Sequence, residues 1–84
     1  MALYKLHPLT LPNGYQYGRV KQINSNNTIV GSCGGNATSK ATLWHQSNFT
    51  LLNVPGQYSA GNGLNSKGDV VGNVDGRPFS IIQE

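Results

Sequence analysis

The chain of 84 residues repeats itself, and the repeat is what most limits the folds open to it. The segment Tyr17–Gly31 (YGRVKQINSNNTIVG) aligns without a gap on Tyr58–Gly72 (YSAGNGLNSKGDVVG), at an offset of 41. Tyr17/Tyr58, Asn24/Asn65, Ser25/Ser66, Val30/Val71 and Gly31/Gly72 are identical, and Ile23/Leu64 and Ile29/Val70 are close replacements. Upstream, Leu9-Thr10-Leu11-Pro12 aligns on Leu52-Asn53-Val54-Pro55 at an offset of 43, so the first copy carries two extra residues in the 13–16 loop. Downstream, Lys40–Trp44 corresponds to Arg77–Ile81 at an offset of 37, with four extra residues in the first copy around Gly34-Gly35-Asn36.

Each copy reads as short strands split by turns. Tyr17–Ile23 alternates and ends in the turn cluster Asn24-Ser25-Asn26-Asn27. Thr28–Ser32 is a second strand, Gly34-Gly35-Asn36 is expected to turn the chain, and Lys40–His45 is a third strand. Gln46-Ser47-Asn48 is a further turn before Phe49–Val54, a fourth strand stopped by Pro55-Gly56. Such spacing is typical of all-β folds. Composition agrees: 33 of the 84 residues are Gly, Asn, Ser or Thr, which favour turns and strands over helices.

Four antiparallel strands in about 41 residues is the size of one propeller blade. The second copy has three such strands, and a surplus segment, about Ala2–Leu11, aligns with the fourth strand of the first copy. The expected organisation is one all-β domain, 1–84, of two four-stranded antiparallel propeller-like blades. Residues 1–12 would be a strand closing the second blade, 13–55 the first blade, and 56–84 a second blade lacking its own fourth strand. Closed rings need about four to eight blades, so the ring would be completed by head-to-tail homo-oligomerisation, with a trimer of six blades favoured. Self-association would also staple a thin core, because the single Cys33 allows no intrachain disulfide. The alternative is a small single β-barrel or sandwich whose repeat is hairpin similarity.

The runs INSNNTIVG and LNSKGDVVG, followed in the first copy by ATLW, resemble the HAF-type repeats of bacterial proteins. Their pattern is roughly Ala-x-x-Ile-Asn-x-x-Gly-x-Val-Val-Gly, then His-Ala-Phe-Leu-Trp. The resemblance implies a propeller-like repeat and no particular activity. The chain departs from it where Asn27 replaces the turn glycine, and where Pro78 and Ile81 replace Ala and Trp. As a two-blade chain of this size, it is also similar to small lectins that close a ring by trimerising.

No enzyme motif is present: no P-loop, G-x-S-x-G, H-E-x-x-H or C-x-x-C. Cys33, among glycines, could suit a nucleophile but reads better as a small buried turn residue. His45 could be a base but reads better as a half-exposed edge residue, and His7 has no nameable partner. Acidic residues are only Asp69, Asp75 and Glu84, so nothing obvious orients a catalytic base. No cofactor or metal is expected. The longest apolar run is too short to span a membrane, and the start lacks the build of a signal peptide. With a lone thiol, this points to the cytoplasm, or to a fragment of something secreted.

Binding has better candidates. Trp44, the only tryptophan, is blade core or a ligand platform. Tyr17 and Tyr58 stand at equivalent places before the first strand of each copy, and Tyr15, in the insertion, is expected to be exposed. Tyrosine rings stack on sugars or bases and offer a hydroxyl, or they serve as structural corners. Arg19 and Lys21 are expected to share a face of the first strand, and Arg77 is a further basic candidate. With a net charge of +3 per chain, a ring lined by them would suit an anion. Long nucleic acid is not expected, because the basic residues do not cluster. The expected function is a non-catalytic, lectin-like carbohydrate-binding module. One alternative is a small cytoplasmic phage or mobile-element protein that sequesters an anionic nucleotide or inhibits a host factor. Another is a structural repeat fragment.

Overall fold

Seven short strands form among the described residues, separated by turns. The structure, a computed structural model, describes residues 4–35, 37–46 and 48–82. The strands are β1 (Tyr17–Ile23), β2 (Thr28–Gly35), β3 (Thr38–His45), β4 (Asn48–Leu51), β5 (Ser59–Leu64), β6 (Val70–Val74) and β7 (Arg77–Ile81). They build two antiparallel meanders, a four-stranded sheet β1-β2-β3-β4 and a three-stranded sheet β5-β6-β7. The fold is therefore all-β, and the sheets do not close into a single barrel.

The two copies fold alike in detail. Asn24 Oδ1 accepts hydrogen bonds from the backbone N–H groups of Asn26 and Thr28 at 3.0 and 2.9 Å. Asn65 Oδ1 accepts the same pair from Lys67 and Asp69, both at 3.0 Å. Each turn is closed by a backbone bond, from Asn27 N–H to Asn24 O in one copy and from Gly68 N–H to Asn65 O in the other. Asn27 and Gly68 both take positive φ, 62° and 91°. Asparagine tolerates that region because its short side chain strains it less than most, so Asn27 can stand where the repeat otherwise has glycine.

A second shared feature was not foreseen. The ladder between β1 and β2 slips between Val20 and Gln22, and that between β5 and β6 slips between Gly61 and Gly63. Each slip is a β-bulge, leaving Lys21 and Asn62 without a rung. Both bulges fall at the same place in the repeat. The 37-residue offset also holds, since Ile29 pairs with Trp44 as Val70 pairs with Ile81.

Several boundaries differ from the sequence reading. Gly34 and Gly35 lie within β2, paired with Ser39 and Thr38. The four extra residues of the first copy thus lengthen a hairpin by two rungs rather than enlarge a turn, and Cys33 sits inside a strand, fully buried. The fourth strand ends at Leu51: Leu52 N–H still reaches Ala41 O in the same register, but Val54 N–H then folds back on Leu52 O. Residues 4–11 form no strand, and the rest of that expected strand, with Asn36 and Ser47 of the expected turns, lies outside the described residues.

Side chains alternate across a strand, and this assigns the faces. Val30, Leu43 and Gln22 share one face of the first sheet by register, and Ile29, Trp44 and Ile23 share the other. The Val30 face packs on the second sheet. Val30 and Val70 are fully buried there, and a Cβ built on Gly61 would overlap Val30 Cγ2. Glycine at 61 is therefore what lets the sheets approach. Hydrogen bonds also join the two sheets beside this apolar contact. Ser59 Oγ accepts from Ala41 N–H at 2.8 Å, and Leu64 N–H donates to Gln22 Oε1 at 2.7 Å. The Asn24 and Asn26 amides donate to Asn65 O and Ser66 O at 2.9 and 2.8 Å.

The lengthened hairpin holds the linker between sheets. Thr38 Oγ1 and Ser39 N–H both donate to Gln57 O, and Lys40 Nζ donates to Gly56 O at 3.0 Å. From the other side, the Asp75 carboxylate accepts the N–H groups of Tyr58 at 2.9 Å and of Gln57. These backbone donors hold the Asp75 carboxyl below its ordinary value, Tyr58 first and Gln57 next, against a small desolvation, with the Lys40 charge helping. A depressed carboxylate stabilises the fold above its unfolded pKa and loses that contribution as pH falls through the folded value. Asp75 also has φ 48° in a two-residue turn with Gly76, a conformation Asn favours. Asp75→Asn therefore removes charge and keeps the turn. It should melt below the parent at pH 7, and the gap should close as pH falls below about 4. Thermal melts from pH 7 to pH 2 check this, and a gap independent of pH would exclude the ion.

Candidate functional site

Among the described residues a concave surface lies on the outer face of the first sheet, the one turned away from the second. Two adjoining hollows, of about 280 and 610 Å³, share Leu9, Val20 and Trp44. The larger is also lined by Ile23 and Ile29 and by His7 of the N-terminal segment. That segment is held in place by Trp44, whose indole N–H donates to Thr10 O at 2.9 Å, and Leu11 lies beside Gly18. Trp44 is 2% exposed, so it is core and lining at once. It is the one candidate that this groove uses.

The other candidates lie elsewhere. Tyr17 and Tyr58 are each half exposed, to nearly the same extent. The Arg19 guanidinium sits 5.9 Å from the centre of the Tyr17 ring, a cation–π distance. Lys21 does not share the Arg19 face. The bulge takes it out of alternation, and Gln22, opposite Val30, continues that face instead. Tyr15 is half-buried rather than exposed, because its loop folds back on the end of β2: Gln16 N–H donates to Gly34 O at 2.8 Å. Arg77 is exposed at the start of β7, opposite Val74. His45 is exposed at the end of β3, with Nδ1 3.2 Å from Thr28 Oγ1.

Sequence reasoning missed the apolar groove. Its lining comes from β1, β2, β3 and the N-terminal segment, and only Trp44 stood out. The one signal was that β1 carries Val20 where β5 carries Gly61. Among the described residues, no three His, Cys, Asp or Glu side chains come together as a metal site would require. Among the described residues no helix is long and apolar enough to cross a membrane. No family model, curated protein or solved structure matches the chain.

Proposed function

We propose that the chain is a non-catalytic, lectin-like binding module, two HAF-type blades that complete a ring by homo-oligomerisation, with three chains giving six blades. The observation that carries the binding reading is the matched pair Tyr17 and Tyr58. Two half-exposed rings stand at one position of both copies, so a ring of copies would present the same aromatic platform many times. Repetition of a weak site raises avidity without new contacts. Carbohydrate fits a phenol ring that can stack on a sugar and offers a hydroxyl.

The Arg19 guanidinium over Tyr17 supports the second reading, capture of an anionic nucleotide, in which the ring stacks on the base and the cation meets phosphate. Salt separates the two. Calorimetric titration with a panel of neutral oligosaccharides and with nucleotides, at low and high salt, should find sugar binding that survives molar salt. Nucleotide binding would weaken steeply, because exposed charges are screened. Tyr17→Ala with Tyr58→Ala should lower the bound ligand's affinity at least tenfold with the fold intact. Undiminished binding by that variant overturns the tyrosine site.

A further inference from the structure

We infer that residues 4–8 of one chain add as a strand to the outer edge of β7 in a second copy, whose second sheet then covers the Trp44 groove. This rests on the ring reading and says which surfaces make the ring.

The N-terminal segment aligns with β4. By the 43-residue offset Leu6, His7 and Pro8 stand where Phe49, Thr50 and Leu51 stand. In the first sheet those residues pair with Trp44, Leu43 and Thr42 of β3. By the 37-residue offset the matching residues of β7 are Ile81, Ser80 and Phe79. Among the described residues the edge of β7 facing away from β6 has no strand on it, and an open edge is a template for pairing. Upstream of its anchor on Trp44, the segment leaves Tyr4 and Leu6 more than 90% exposed. It cannot close its own second sheet, because Trp44 anchors it on the outer face of the first sheet. The first sheet therefore stands between this segment and β7. Pro8 is compatible with a strand that would be outermost.

The faces tell the same story. Where the two sheets meet within the chain, Val30 is fully buried over Gly61. The repeat counterpart of Val30 is Val71, 53% exposed, and that of Gly61 is Val20, 58% exposed. The unburied pair therefore lies on the two outer faces, Val20 beside the groove and Val71 on the far side of the second sheet. A second copy related to the first as one repeat is to the next brings them together. Val20 in place of glycine sets this junction wider than the internal one. The hydrogen bonding between sheets extends as well. Asn65 and Lys67 are the counterparts of Asn24 and Asn26 and carry N–H groups for Asn24 O and Ser25 O of the neighbour. One N–H of the Asn65 amide is used internally, on Asp69.

Directly opposed residues of antiparallel strands have Cα atoms about 4.5–5.5 Å apart, within the reach of a disulfide. The full chain carrying His7→Cys and Ser80→Cys should therefore oxidise to covalent oligomers, with each single variant giving none beyond dimer. Cys33 is buried and stays in place. Leu6→Asp should shift the native mass from oligomer to monomer without loss of β-structure, since Leu6 is exposed in the free chain. Oligomers whose thiols at 7 and 80 stay free would overturn strand donation but keep the ring. Disulfide-linked monomers would mean closure within one chain and overturn it too. A folded monomer of the unmodified chain would overturn both.

Discussion

Gly61→Val should destabilise the fold by about 3 kcal/mol, the upper end for overpacking a tight core. A chain of this length has about 4–12 kcal/mol in total, so the variant would lose much of its stability. Valine is what the other copy carries at this place, as Val20, so no general preference of the repeat forbids it. The obstacle is local: even a Cβ there overlaps Val30 Cγ2, and Val30 is itself fully buried. The reciprocal change, Val20→Gly, should cost the single chain about 1 kcal/mol at most, from strand propensity alone, because Val20 is exposed there. Combining Gly61→Val with Val30→Ala should recover part of the loss, a coupling that a double-mutant cycle reads from urea midpoints. Equal stability of Gly61→Val and the parent would mean that the sheets do not pack through this contact.

Trp44→Ala should cost about 3–5 kcal/mol, the range for truncating a buried large aromatic. It removes the largest buried side chain of the first sheet and the donor that holds Thr10. Two effects should separate. Trp44→Phe retains most of the apolar contact and loses the hydrogen bond, for about 1 kcal/mol. Hydrogen exchange at residues 9–11 should rise in both variants, while β2 and β3 amides lose protection mainly in Trp44→Ala. Circular dichroism with urea titration gives the stabilities without relying on the lost fluorophore. A Trp44→Ala protein as stable as the parent would show that the indole contributes little to the core.

The turns were the most legible part of the molecule. Asn24 and Asn65 act through side-chain bonds to the backbone two and four residues on, a local chemistry that needs no tertiary partner. The limits of β1 follow from this, since the Asn turn ends it. The 34–36 segment was misread for the opposite reason. Two adjacent glycines signal a turn in isolation, but the backbones of β1 and of the 12–16 loop lie against them and keep them in the ladder. The bulges were invisible because the alternation of residues around Lys21 looks regular in sequence. Only the pairing with β2 shows that one residue has no rung, and that moved Lys21 off the face assigned to it. Of the candidate site residues, the equivalence of Tyr17 and Tyr58 was readable from the repeat. The groove was not, since Leu9, Val20, Ile29 and Trp44 come from four separate segments.

The sequence by itself determined the repeating unit: where its turns fall, which residues cap them, and which positions of the two copies correspond. Only the tertiary structure decided which face of each sheet is buried. Val30 and Val71 sit in the same local sequence, each followed by glycine, yet one is sealed from water and the other is 53% exposed. Local sequence sets backbone conformation through short-range sterics and hydrogen bonds. Burial depends on which sheet arrives from elsewhere in the chain, and the second sheet covers one face of the first while its own far face meets no other sheet of the chain.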